Sequence, residues 1–237
     1  MEQKNLSPEQ AWQKIIELDK PREDSPTSSK IIRKTEKKIS EFVTAIAEEP
    51  NAEEIYLFIL KEGDILSADD LETIAALVKN KPYAKKIWRA IIAHPECRGF
   101  DEQTQVALLT DTVLLEEYWK QGNDLWDEVE VALFSLPNKE QLLRMYFSYG
   151  HGLCADAQKK MLQMPTKQMK PLLVAYCNSI NEKNHWQRAL HQSGFFMLLR
   201  DRVLFDLYAE KMAPFYKGKK NVFPKTISFV AQKKGWL

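Results

Sequence analysis

Two short patterns carry the residue types that bind metal. They are His94-x-x-Cys97 and His151-x-x-Cys154. Two such pairs make four ligands, enough for a tetrahedral zinc centre. Their positions argue against a shared ion. Each pair stands in the loop ahead of a repeated helical segment, and the two pairs are two repeats apart. Packed helices are separated by about 8–10 Å, which places the pairs on the order of 20 Å from each other. Zinc–ligand bonds are about 2.0–2.3 Å. No metal ion is therefore expected. Cys154 reads as a small apolar residue opening a helix, and the histidines read as loop residues.

Acid–base and nucleophilic chemistry find no support in the spacing. Glu116-Glu117 and Asp127-Glu128 are neighbours in sequence. On a helix, adjacent side chains point about 100° apart and do not face each other. No nucleophile elbow, Walker loop, dinucleotide fingerprint or His-Glu-x-x-His run is present. A non-enzymatic protein is expected, with no cofactor.

Charge is uneven along the chain, although the net charge is only +1. Asp101 to Glu130 contains nine acidic residues and one basic, Lys120. After Glu210 there are seven lysines and no Asp or Glu. An acidic middle attracts a basic partner segment, and a basic tail attracts phosphate. The tail also carries Phe215, Tyr216 and Trp236, which can stack on bases. It lacks arginine, the residue that makes bidentate phosphate contacts.

Met1 is followed by Glu-Gln-Lys-Asn, without the apolar core of a secretory signal. Ile55–Leu60 and Phe195–Leu199 are far shorter than the ~20 residues of a membrane span. Three cysteines, an odd number, are widely spaced. These features point to a reducing, cytoplasmic setting without membrane association.

The elements that must position these residues are helical. Ser7-Pro8-Glu9-Gln10 reads as a capping box that opens a helix to about Leu18, burying Trp12, Ile15 and Ile16. Residues 20–29 read as a linker, with two Pro and three Ser. Helices are expected from about Ser29 to Glu48, from Asn51 to Gly63, from Ser67, and from Pro82 to His94. Ser193 is expected to cap an apolar helix containing Phe195, Phe196, Leu198 and Leu199. The domain boundaries that follow are 1–29 for an N-terminal helix and linker, 30–213 for a helical body, and 214–237 for a basic aromatic tail.

A repeat runs through the body. FDEQTQVALLT from Phe100, LWDEVEVALFS from Leu125 and LCADAQKKMLQ from Leu153 align on their apolar positions. Each is followed by Leu-Leu-x-x-Tyr, at Leu114, Leu142 and Leu172. Each unit is thus two short helices joined by a tight turn. Such a unit cannot bury both apolar faces alone, and stacking of neighbours covers them. Tyr118, Tyr146 and Tyr176 are expected in the core or at its edge. The segment from Leu66 to His94 looks like a looser copy.

This pattern resembles the broad class of α-helical repeat proteins, the HEAT, armadillo and leucine-rich-variant solenoids, over about residues 52–180. The resemblance implies an all-α, right-handed superhelix of short helix pairs, about 25–34 residues per unit. It also implies an extended surface used for binding. The expected role is recognition of a protein partner, with the acidic repeats attracting a basic segment. Glu116, Glu117, Asp127 and Glu128 would supply charge. Trp119 and Phe147 follow the signature tyrosines and would rotate out of the seam as anchors. The alternative is nucleic-acid binding through Lys217, Lys219, Lys220, Lys225, Lys233 and Lys234.

Overall fold

In the computed structural model Ser7 opens the first helix by the predicted reciprocal pair. The Ser7 amide donates to Gln10 Oε1 at 3.0 Å, and the Gln10 amide donates to Ser7 Oγ at 3.2 Å. The structure describes residues 6–24, 28–63, 65–180, 190 and 192–237. They form fourteen α-helices: α1 Pro8–Asp24, α2 Ser29–Ile46, α3 Ala52–Glu62, α4 Ala68–Val78, α5 Ala84–Ile92, α6 Glu102–Leu108, α7 Thr112–Lys120, α8 Asp127–Leu133, α9 Lys139–Ser148, α10 Ala155–Gln163, α11 Thr166–Asn178, α12 Gln192–Leu198, α13 Arg202–Met212 and α14 Lys225–Lys233. Among the described residues, no helix is long and apolar enough to cross a membrane.

The chain divides into two compact units, Met1–Asn123 and Asp124–Leu237. In the first, α2, α4 and α6 pack in sequence as one row and α3, α5 and α7 as a second, with α1 against α2 and α3. In the second, α8, α10 and α12 form one row and α9, α11 and α13 the other. Most of these helices thus pack on the helix two places along the chain, a repeat-like all-α arrangement.

Two boundaries differ from the sequence expectation. Residues 20–24 continue α1 through Pro21 instead of starting a linker. Pro21 lies in the last turn of α1, and the helix continues three residues past it. The rest of that linker, residues 25–27, lies outside the described residues. α1 is not separate either: Ala11 and Ile15 are fully buried, and Asn51 Nδ2 donates to the Leu6 carbonyl at 2.9 Å. The Trp12 ring, half-buried, rests over Gly63, where a Cβ would lie 2.2 Å from its edge. Ile16, expected inside, is exposed. At the other end, the 214–237 tail folds onto α13, with Phe223 stacked on Phe205 at 4.2 Å. α12 begins at Gln192, so Ser193 lies within the helix and not at its cap.

The Leu-Leu-x-x-Tyr helices explain the repeat. Leu114, Leu115, Tyr118 and Trp119 on α7 are all fully buried, as are Leu142, Leu143, Tyr146 and Phe147 on α9 and Leu172, Leu173, Tyr176 and Cys177 on α11. α13 repeats the pattern with Leu204, Phe205, Tyr208 and Ala209. Four buried positions in six residues form a wedge wider than one stripe, because the helix has neighbours on both sides. Each such side chain contributes roughly 1.5–3 kcal/mol by leaving water. This overturns the expected exposure of Trp119 and Phe147. Both are 0 % exposed and belong to the core, so neither can anchor a partner.

The tyrosine hydroxyls do further work. Phe100 N–H donates to Tyr118 Oη at 3.0 Å, Leu125 N–H to Tyr146 Oη at 3.4 Å, and Leu190 N–H to Tyr208 Oη at 3.0 Å. The Tyr118 and Tyr146 hydroxyls thus satisfy the amides of the residues that open two of the repeats, which a buried loop could not leave unpaired.

Candidate functional site

Aligning the first helices of the repeat on Phe100, Leu125 and Leu153 exposes a polar column. Five residues on stand Gln105, Glu130 and Gln158, all buried. Gln105 Nε2 donates to the Phe100 carbonyl at 3.1 Å and to Tyr118 Oη at 3.0 Å. Gln158 Nε2 donates to the Leu153 carbonyl at 2.8 Å. The amide ties the helix to its own opening loop in both. The middle repeat places a carboxyl at the same position.

Glu130 is 5 % exposed. Its Oε1 accepts from Tyr146 Oη at 2.8 Å, and its Oε2 accepts from Cys154 N–H at 2.6 Å. Burial pushes its pKa up to about 7; the donors from Cys154 and Tyr146 pull it down, and the Asp127 charge adds a further push upward. Burial, with the neighbouring Glu130, also pushes the Cys154 thiol up to about 11. Tyr146 is held well above its ordinary range, again by burial first. His151 stacks on the Tyr146 ring at 4.6 Å, and its Nδ1 lies 2.6 Å from Asp124 Oδ1. One polar junction thus joins α8, α9 and α10.

Both Glu130 oxygens are committed to holding that junction together, the work Gln105 and Gln158 do elsewhere. Asp127, Glu130 and Cys154 offer ligand atoms within 4.8 Å of one another, and these three are the residues here that can hold a cation. A metal would have to remove the thiol proton and displace the Tyr146 and Cys154 hydrogen bonds. It would also sit at the positive N-terminal ends of α8 and α10. The donor set is a poor fit for a resident ion. The histidine pairs are structural. His94 Nε2 is 3.2 Å from the Gly63 carbonyl and its Nδ1 accepts from Glu96 N–H at 3.2 Å. Cys154 is the N-cap of α10, its sulfur accepting from Ala157 N–H at 3.4 Å.

The surface beside this junction carries both signs of charge. Asp127 and Glu128 are exposed in the first turn of α8. With Val131 they face Asp156, Lys159, Lys160 and Gln163 of α10 across a groove of about 540 Å³. Lys159 pairs with Asp156 at 2.5 Å. Glu116 and Glu117 lie on α7 in the first unit. Glu117 is tied to Arg89 at 3.0 Å, and Glu116 is exposed.

Sequence reasoning missed Trp126, which is 54 % exposed and directly precedes Asp127. A signal existed in the repeat register. Trp126 is the N-cap of α8, aligned with Asp101 and Cys154, both of which accept a backbone hydrogen bond as caps. The Trp126 side chain makes no cap hydrogen bond. Tryptophan at a cap forgoes about 1 kcal/mol of helix stability and exposes a large ring. No protein-family model, curated protein or solved structure matches the chain.

Proposed function

We propose that the protein is a non-enzymatic scaffold whose α-helical repeats, stacked as in a solenoid, recognise a protein partner. The second unit binds a basic segment of that partner, with Trp126 as the anchor and Asp124, Asp127 and Glu128 as the surrounding charge. The single observation that carries this reading is the ring of Trp126, exposed at a cap position that its siblings fill with cap acceptors. A capping residue would make α8 more stable; a binding residue explains the loss. Exposed aromatics flanked by charge are the typical anchors of protein interfaces. Glu116 belongs to the first unit and adds charge there, while Trp119 and Phe147 take no part.

The test compares the full chain with Trp126→Ser as bait in a nuclease-treated lysate of its own source. Any captured protein is then titrated directly, as is its most basic segment. The expected result is saturable binding that falls at least ten-fold in W126S and weakens with salt. Equal capture by both proteins refutes the reading.

A further inference from the structure

Every charged side chain after Glu210 is a lysine. The structure fixes where these lysines stand, because the segment is docked. Ile227 and Ala231 of α14 are buried, Trp236 packs on Phe205 at 5.5 Å between ring centres, and Arg202 donates to the Gly235 carbonyl at 3.2 Å. Two lysines are committed to the body. Lys219 pairs with Asp206, and Lys234 Nζ donates to the Leu199 carbonyl at 3.1 Å. Lys217, Lys220, Lys225 and Lys233 are exposed and form no ion pair among the described residues.

Lys225, Phe229 and Lys233 follow one another at four-residue intervals, so they share one face of α14. That face points to solvent: Phe229 is 56 % exposed, and Lys233 Nζ lies 4.6 Å from its ring centre. Lys220 stands beside it, its carbonyl accepting from Ser228 Oγ at 3.4 Å.

We propose that this outward face of α14, Lys225–Phe229–Lys233 with Lys220 beside it, binds single-stranded nucleic acid without sequence preference. An exposed ring bracketed by positive charge one turn to either side offers a base a stacking surface and the backbone a row of cations. Single strands fit better than duplex, because a duplex hides its base faces. No arginine is present after Arg202 to read base edges or fork onto phosphates. A lipid surface fits less well. The apolar side of α14 is already spent on the body, leaving one ring to insert. Because the lysines are held by a folded segment, little ordering entropy is lost on binding. This surface does not depend on Trp126.

The experiment is fluorescence anisotropy of a labelled 15-nucleotide oligo-dT titrated with the full chain between 50 and 200 mM salt. Binding in the micromolar range is expected, with log K falling against log salt at a slope of about −2, from three lysines at about −0.7 each. Phe229→Ala should weaken binding about five- to a hundred-fold. Lys225→Gln with Lys233→Gln should flatten the slope to about −0.7. All three positions are exposed, so the variants should melt with the wild type, and W126S should bind the oligonucleotide normally. Absence of saturable binding, equal binding by F229A, or preference for vesicles of anionic lipid or for a poly-Glu peptide overturns the proposal.

Discussion

Glu130→Gln places in the middle repeat the residue that both neighbouring repeats use, at nearly the same volume. Its effect follows from the proton that Glu130 carries. In the folded chain the carboxyl has its pKa raised from 4.5 to about 7. The folded state therefore holds a proton that the unfolded state releases. The stability this gives is fully present below pH 4.5 and is lost as pH rises to about 7. Above that it stays lost. A rise of 2.5 pH units at about 1.4 kcal/mol each is roughly 3–4 kcal/mol, an upper bound that relaxation around the carboxylate reduces. Gln carries no such proton. E130Q and wild type should be equally stable near pH 4.5. At pH 8 the variant should be more stable by up to roughly 3–4 kcal/mol. Urea unfolding of both proteins, followed by tryptophan fluorescence from pH 4.5 to 8.5, measures the difference. Other carboxylates titrate in both proteins and cancel. A difference that is constant across pH, or a variant less stable at pH 8, refutes the reasoning and removes Glu130 as a titrating group.

Three further outcomes follow from the same packing. Trp126→Ser restores a cap acceptor to α8 and should raise stability by about 0.5–1 kcal/mol in chemical unfolding, while weakening the partner. Tyr118→Phe leaves the buried Phe100 amide and one Gln105 donor without their acceptor; a loss of about 1–3 kcal/mol is expected by the same assay. Gly63→Ala sets a methyl against the Trp12 ring and should displace it, at about 1–3 kcal/mol, with a red shift in emission as the ring meets water.

The helical periodicity and the Leu-Leu-x-x-Tyr signature were sufficient to read an all-α chain of paired helices, and Ser7 capped its helix by the predicted bonds. The width of each buried wedge was not legible. Trp119 and Phe147 sit about 100° round the helix from the signature tyrosine, and only a second packed neighbour decides that this angle is also interior. Pro21 misled in a different way, since proline composition marks a break but α1 runs three residues past it. The polar junction was available in the Gln105–Glu130–Gln158 column. Alignment on apolar positions alone passed over it, because a buried amide or carboxyl looks like surface until its backbone partners are seen. Trp126 was hidden for a related reason: a cap position becomes evident only once the helix start is fixed to the residue.

The most direct measurement replaces Trp126 by a photo-reactive phenylalanine analogue and irradiates the full chain in a lysate of its own source. A second protein carries the same analogue at Val113, an exposed residue of the first unit. The account predicts one or a few discrete protein adducts from position 126, mapping to a basic segment and absent from position 113. The same adducts at both positions, or none at position 126, would contradict it.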